Sequence, residues 1–180
     1  MSPAVNISAE LSPGEIYARL AWIKGLTVEL LAGNVVVRGG SPGEHARRIW
    51  RLTTALMAPV TAMDAAVFVG RPTPVPATLD VPRPDLAIVP NSAPDLCAHR
   101  LLLVAEVVSP GSATDDRGIK ARIYAQGEVP LYLLVDVETV TLFGDPDGGS
   151  YRSRTTVTIG EKLALPDPFC VELDTGGLIP

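Results

Sequence analysis

The chain has 180 residues, of which 47% are hydrophobic and 19% are charged, and its 15 basic and 20 acidic side chains leave a net charge of −5. This composition excludes a disordered chain and predicts a single domain over residues 1–180, with residues 1–11 as a flexible N-terminus. No apolar stretch approaches the roughly 20 residues that a membrane-spanning helix needs, so we expect no membrane contact. Cys97 and Cys170 offer no metal-binding spacing and no disulfide framework, which fits a reducing cytoplasm.

Two helices in the N-terminal half begin with the same motif, Ser-Pro-Gly-Glu, at Ser12 and at Ser41. The serine caps the helix, the proline takes the first helical position, and the glutamate three residues on completes a capping box. We expect the first helix to end near Ile23 and the second near Met57. Between them, TVELL and VVVRG flank Ala32-Gly33-Asn34, a pattern typical of a β-hairpin.

The second half alternates apolar runs with turns and one helix. A strand near Ala65–Val69 precedes a proline-rich loop, Pro72–Pro84, and the runs RPDLAIVP, LLLVAEVV and LYLLVD read as further strands. The helix between the last two begins near Asp115 and ends at Gln126-Gly127, which predicts a parallel strand pair. TVTLFG and SYRSRTTVTI, separated by DPDGG, predict a closing hairpin. The fold class is therefore α/β (α+β), with a mixed sheet.

Glu106 is the most informative residue, because it interrupts the apolar strand LLLVAEVV. An ionised carboxylate there is costly unless it is paired, hydrogen-bonded or bound to a metal. The simpler alternative is a carboxylate at a strand end that pairs with an arginine. Asp85 opens the preceding strand, and if the two strands are neighbours, both carboxylates reach one divalent cation such as Mg²⁺.

The helix after Glu106 supplies a candidate cation. At about 100° per residue, Lys120 shares the buried stripe with Ile119 and Ile123, and Tyr124 lies beside it. Such a lysine is either a snorkelling side chain at the edge of the core or, beside two acids, a group that orients an attacking water and offsets charge on a phosphate. His45, in the first turn of the second helix, is a further accessory candidate with Tyr124, although a satisfied histidine is the more common role.

The stretch from Asp85 to Asp136 resembles the Uma-type restriction endonuclease family, a bacterial branch of the PD-(D/E)XK nuclease superfamily. The matching segments are PDLAIV, LLLVAEVVSPGSATDDRGIKARIYAQGEVP and LYLLVD, and the VELLAGNVVV hairpin and SPGEH are similar to the family's N-terminal half. The resemblance extends from about Val28 to the C-terminal strands. It implies a restriction-endonuclease-like mixed β-sheet core flanked by helices.

Carried over residue by residue, the resemblance assigns Asp85 and Glu106 as the acids of the motif. The superfamily commonly has a lysine two residues after the glutamate, where this chain has Val108, and the resemblance assigns that role to Lys120 instead. It also implies the backbone carbonyl of Val107 as a metal ligand beside the two acids. Where the family often has Glu-Tyr-Trp, this chain has Leu-Tyr-Leu at residues 131–133.

These observations predict a metal-dependent endonuclease that hydrolyses phosphodiester bonds, in DNA, with Asp85, Glu106 and Lys120 as catalytic residues. Asp85, Glu106 and Val107 would bind Mg²⁺, with Mn²⁺ as a substitute. The alternative is a catalytically silent nuclease-fold protein that binds or scaffolds, which the net negative charge favours. The resemblance and an apolar-rich surface also suggest a homodimer, with the N-terminal hairpin or the C-terminal strands as contacts.

Overall fold

In the part of the chain that the structure describes, helices separate groups of consecutive strands. The computed structural model describes residues 11–39, 43–109 and 115–178, so residues 1–10 of the expected N-terminal segment lie outside it. None of the helices in these ranges is long and apolar enough to cross a bilayer. In chain order the elements are α1 (Pro13–Leu20), β1 (Thr27–Leu31), β2 (Asn34–Arg38), α2 (Gly43–Ala62), β3 (Ala65–Val69), β4 (Leu86–Pro90), β5 (Leu103–Val107), α3 (Ala121–Gln126), β6 (Leu131–Val135), β7 (Thr139–Asp147), β8 (Ser150–Thr158), β9 (Lys162–Leu165) and β10 (Val171–Asp174).

A mixed sheet forms the centre of the fold. Within the described ranges it has six strands in the order β3-β4-β5-β6-β7-β8. Neighbouring strands pair antiparallel except β5 and β6, which pair parallel, and α3 lies in the connection between those two. The predicted architecture is therefore confirmed, including the parallel pair and the neighbouring strands β4 and β5. Asp85, which was expected to open its strand, directly precedes β4.

The pairing of β4 with β5 brings the two predicted acids to the same end of neighbouring strands. Leu86, the first residue of β4, pairs with Ala105, and Glu106 follows Ala105 on β5. Asp85 directly precedes Leu86, so it lies at the end of this ladder that is nearest to Glu106. A hydrogen bond of 2.8 Å from the Val107 N–H to the Asp85 carboxylate ties the start of β4 to β5.

The sheet has an apolar core on each face. Leu52, Leu56 and Val60 of α2 pack against one face in a cluster that includes Leu103 and Ala105 of β5. The other face is covered by α3 and β1, in a cluster that includes Leu31, Ile123, Val104 and Tyr132. Because side chains alternate along a strand, Glu106 lies on the same face as Val104, the face that α3 covers.

The helix ends depart from the predicted bounds. The capping box at Ser12 and Glu15 is present, but α1 ends at Leu20 rather than near Ile23, where the chain has already turned toward β1. Helix α2 continues past Met57 to Ala62 with Pro59 inside it, because a proline removes one hydrogen bond without ending the helix when packing holds the last turn. The predicted cap at Ser41 lies outside the described residues.

The helix predicted to begin near Asp115 begins with a π-helical segment, Asp115–Lys120, which passes directly into α3. A π-helix is wider than an α-helix, so a wheel of about 100° per residue does not apply before Lys120. Lys120 is nevertheless buried, as the wheel predicted. The helix ends at Gly127 as predicted.

Hairpins complete the fold. The predicted β1–β2 and β7–β8 hairpins are present, and the β7–β8 turn narrows to Gly148 and Gly149, whose φ angles of 56° and 91° are those that a two-residue hairpin turn requires. The β9–β10 hairpin was not predicted, because each of its strands has only four residues, although Pro166-Asp167-Pro168 between them is a turn signal. Leu163 and Leu173 from this hairpin are buried in the core on the α2 face.

Gly127 allows the end of α3 to pack tightly, and its substitution tests that packing. A Cβ there would lie 2.8 Å from the Ala98 Cβ and 3.0 Å from the Val75 Cγ1. We expect Gly127→Ala to lower the free energy of unfolding by about 1–3 kcal/mol, measured by urea denaturation. Gly14→Ala in α1 is the control, since nothing lies within 4 Å of its Cβ, and it should be neutral or slightly stabilising. Equal losses in the two variants would contradict this prediction.

Candidate active site

Glu106 is the centre of the candidate site. It lies inside β5 with 2% of its surface exposed. Its Oε1 accepts a hydrogen bond of 2.7 Å from the Tyr124 hydroxyl and one of 2.9 Å from Lys120 Nζ. Glu106 is the second-to-last residue of β5, and the donors to its Oε1 are a lysine and a tyrosine rather than the arginine of the simpler alternative. These two donors offset part of the cost of burying the carboxylate.

Asp85 is fixed by three separate parts of the chain. The Val107 N–H donates to its Oδ2 at 2.8 Å, and His45 Nε2 lies 3.1 Å from its Oδ1. Its backbone carbonyl accepts a hydrogen bond of 3.1 Å from the Gly70 N–H. His45 therefore reaches the site from the first turn of α2, as a partner of the carboxylate. A hydrogen bond to that carboxylate requires the proton on Nε2.

Lys120 connects two carboxylates. Its ammonium lies 2.9 Å from Glu106 Oε1 and 3.0 Å from Glu29 Oε1, and 3% of the residue is exposed. A snorkelling lysine would place its nitrogen in solvent, so that alternative is wrong for this residue. The structure thus brings Lys120 and Tyr124 into direct contact with Glu106, and Asp85 accepts a hydrogen bond from the N–H of Val107, the residue after Glu106. Their catalytic roles stay predictions.

Glu29 belongs to the site and was missed at the sequence level. It lies on β1 with 1% of its surface exposed, and it accepts a hydrogen bond of 2.8 Å from the Arg83 N–H. Its Oε2 pairs with the Arg38 guanidinium from β2. The pattern that singled out Glu106, an acid within an apolar strand, is also present in TVELL. The sequence pattern predicts only one arm of a hairpin for this segment, and for that reason Glu29 is not among the predicted site residues.

Tyr124 is a hydrogen-bond donor in this environment and keeps its proton. Burial and then the negative charge of Glu106 raise its pKa well above the usual range for tyrosine. The hydroxyl therefore stays protonated and donates to Glu106. The ring packs against Tyr132, with ring centroids 5.2 Å apart. Tyr124, an accessory candidate from the sequence, is in direct contact with Glu106.

Arginines lie beside the carboxyl end of β6, next to the end of β5. Asp136 follows β6 and pairs with Arg117 from the π-helical segment. Burial raises the pKa of Asp136, but hydrogen bonds from Arg117 and the Val137 N–H, together with the charges of Arg117 and Arg48, outweigh it and lower the pKa below its usual value. Asp136 also accepts a hydrogen bond of 2.8 Å from the Val137 N–H, so it shapes the turn after β6.

The donor set of the site suits a hard divalent cation. Among the described residues, no three His, Cys, Asp or Glu side chains form a group that could hold a metal ion. A cation at this position would therefore rely on two carboxylates, from Asp85 and Glu106, with backbone and water oxygens for the rest of its ligands. Mg²⁺ binds in this way, through one or two carboxylates, water and phosphate. The residues fit such an ion.

The Tyr124–Glu106 hydrogen bond has a charged acceptor, which makes its energy testable. Tyr124→Phe removes only the hydroxyl and should lower the free energy of unfolding by about 1.5–3 kcal/mol. The matched control is Tyr151→Phe, because the Tyr151 hydroxyl donates to the neutral Val129 carbonyl at 2.9 Å, and its loss should cost about 0.5–1.5 kcal/mol. Both variants are measured by urea denaturation at neutral pH. A smaller loss for Tyr124→Phe would show that Glu106 is not a charged acceptor.

The chain is similar to a family of restriction endonucleases and to a solved nuclease structure. A crystal structure of "a putative nuclease belonging to DUF820" from Anabaena variabilis matches with a TM-score of 0.73 and 12% sequence identity, over 93% of this chain and 97% of that chain. This match confirms the expected nuclease fold. A cryo-EM structure of a DrdV–DNA complex matches with a TM-score of 0.38 and 14% identity, over 66% of this chain and 12% of that chain. No curated protein matches.

The model of the Uma2 family, described as "Putative restriction endonuclease", matches residues 15–176. The chain belongs to this family.

Proposed function

We propose that this protein is a metal-dependent endonuclease that hydrolyses phosphodiester bonds in DNA. One arrangement carries the proposal: a buried lysine ammonium contacts Glu106, and the backbone N–H of the next residue, Val107, donates to Asp85. Two carboxylates and a lysine are the groups that this reaction needs. Membership of a restriction endonuclease family and the nuclease fold support the proposal independently.

Asp85, Glu106 and the Val107 carbonyl would bind Mg²⁺, with Mn²⁺ as a substitute. When bound, the ion would polarise the scissile phosphate and lower the pKa of a water molecule. The protein's own contribution is to fix the two carboxylates. The Val107 N–H holds Asp85 and the Tyr124 hydroxyl holds Glu106, so neither carboxylate has to be ordered when the cation binds.

Lys120 would supply a positive charge beside the reacting phosphate. Its ammonium would orient the attacking water or offset the negative charge that develops on the phosphate. Because it is buried, solvent screens this charge weakly. His45, through Asp85, and Tyr124, through Glu106, would be accessory residues. The reaction needs no covalent intermediate with the enzyme.

The arginines near the site support nucleic acid as the substrate despite the net charge of −5. Arg117 pairs with Asp136 beside the end of β5, and Arg48 is close enough to influence the same carboxyl. Phosphate contacts from such side chains supply most of the affinity for DNA and fix its register on the protein. We therefore propose that DNA binds over the ends of β5 and β6. We place the protein in the cytoplasm, the compartment that its cysteine content suggests.

The N-terminal hairpin is the part of the described structure that best supports a homodimer. Trp22, which precedes β1, is 87% exposed, and Val37 on β2 is 46% exposed. Large exposed apolar side chains can be buried by a second subunit. We expect dimers at micromolar concentration in sedimentation velocity, and Trp22→Ser should shift them toward monomers. Sedimentation of the wild type only as a monomer would contradict the homodimer.

Metal binding tests the proposed role of the carboxylates. Millimolar Mg²⁺ or Mn²⁺ should raise the melting temperature of the wild type, by about 2–4 °C for each kcal/mol of binding free energy. Glu106→Gln keeps the size of the side chain and an acceptor for Tyr124, so the protein should fold but lose this rise. Glu172→Gln is the matched control, since it removes the charge from an exposed pair with Lys162 at 3.0 Å, and it should keep the rise.

Lys120→Met separates binding from catalysis in the same experiment. It leaves Glu106 and Glu29 without their shared ammonium, so the metal-free protein should be less stable, while the rise with Mg²⁺ should equal or exceed that of the wild type. Cleavage of plasmid DNA should fall by about 100-fold or more. A wild type that neither cleaves DNA nor responds to either cation would leave the silent scaffold as the function. Loss of folding in Lys120→Met would show that Lys120 is a structural residue.

A further inference from the structure

Glu29 is a buried acid that the proposed reaction does not yet use. It lies on the β1–β2 hairpin, outside the six-stranded sheet that carries Asp85 and Glu106. Its Oε1 lies 3.0 Å from Lys120 Nζ and accepts the Arg83 N–H at 2.8 Å, and its Oε2 pairs with Arg38. Both oxygens of the carboxylate are therefore engaged, on the side of Lys120 that Glu106 does not occupy.

We propose that Glu29 is the positioning residue for Lys120, an inference that rests on the proposed nuclease function. A lysine ammonium is a point charge at the end of a flexible four-carbon stem, so one carboxylate fixes its distance but not its direction. A second carboxylate at nearly the same distance, 3.0 Å against 2.9 Å, fixes the ammonium between two points. Glu29 thus keeps Lys120 in place when Glu106 takes part in binding a cation.

Glu29 is itself held by the segment that leads into Asp85. Arg83, two residues before Asp85, donates its backbone N–H to Glu29. Next to this contact, Leu30 and Val81 form backbone hydrogen bonds of 3.2 and 2.9 Å in both directions. The hairpin is therefore fastened to the chain just before β4. One short segment sets the positions of both Glu29 and Asp85, and through Glu29 it sets the position of Lys120.

The contacts of Glu29 distinguish it from a metal ligand. Each of its two oxygens faces a cationic side chain, Lys120 at Oε1 and Arg38 at Oε2, and these cations would repel a divalent cation at short range. In Glu106 the contact with Lys120 is made by Oε1. Asp85, by contrast, is held by a backbone N–H and by His45. Glu29 therefore acts on the reaction through Lys120 and not through the cation.

The test uses Glu29→Gln in the full-length protein, with plasmid DNA and Mg²⁺. The amide still accepts the Arg83 N–H but no longer attracts the ammonium as a charge. We expect kcat to fall by roughly 10- to 100-fold, while KM for DNA and the rise in melting temperature with Mg²⁺ stay as in the wild type. Glu172→Gln, the same change in an exposed glutamate–lysine pair, should keep the wild-type kcat. An unchanged kcat in Glu29→Gln would overturn the proposal, and so would loss of the rise, which would make Glu29 a metal ligand.

A double mutant shows whether Glu29 acts through Lys120. Single-turnover cleavage with excess enzyme should be equally slow in Lys120→Met and in Glu29→Gln/Lys120→Met, because the residue to be positioned is already absent. A further loss in the double mutant would show that Glu29 acts independently, and the proposal would be wrong.

A charge-balanced variant serves as the control for loss of folding. If Glu29→Gln does not fold, Glu29→Gln/Arg38→Met removes both charges of that pair, and it should fold with the same low kcat. Failure of both variants to fold, or wild-type kcat in the second, would assign Glu29 a structural role only. In each of these outcomes the wild type cleaves DNA. A wild type without cleavage would instead refute the proposed function, and this inference with it.

Discussion

A lysine ammonium buried between two carboxylates is the interaction on which the arrangement of this protein depends. Lys120 lies about equally far from Glu106 on the central sheet and from Glu29 on a separate hairpin. Desolvating three charges is costly, and only close pairing with further hydrogen bonds offsets that cost. The Tyr124 hydroxyl, the Arg83 N–H and the Arg38 guanidinium provide those bonds. The hairpin, the sheet and the helix must therefore meet at one point.

The pairing of β4 with β5 is the second constraint, because it decides where Asp85 lies. Leu86 pairs with Ala105, and Asp85 directly precedes Leu86. In this pairing Leu86, Ala105 and Leu103 are buried on the α2 face, while Ala87 and Val104 are buried on the α3 face. The same pairing brings the Asp85 carboxylate to 2.8 Å from the N–H of Val107, the residue after Glu106.

Much of the fold could be predicted from the sequence, whereas the site could be predicted only in part. The inner strands β4, β5 and β6 are apolar runs bounded by turns, and their burial on both faces of the sheet explains that pattern. Lys120 was predicted to face inward although its turn is π-helical, because the apolar residues that follow it determine which side of the helix is buried. The acid in TVELL shows the same local pattern as Glu106, but its partners Lys120 and Arg83 are distant in sequence, so only the tertiary structure places Glu29 at the site. The β9–β10 hairpin is hard to predict because each of its strands has only four residues, and Leu163 and Leu173 join the core on the α2 face.

The charges around Lys120 also bear on how an acidic protein would bind DNA. Three carboxylates of the described site, those of Glu29, Asp85 and Glu106, carry three negative charges. Arg38 and Lys120 carry two positive charges, so the sum is one negative charge when His45 is neutral. A divalent cation would reverse the sign and leave one positive charge, which matches the single negative charge of a phosphodiester. On the proposed function, attraction for the substrate therefore arises at the site once the cation is bound, and the surface as a whole does not need to be basic. Electrostatic attraction in a cleft depends on this local charge more than on the net charge of the chain.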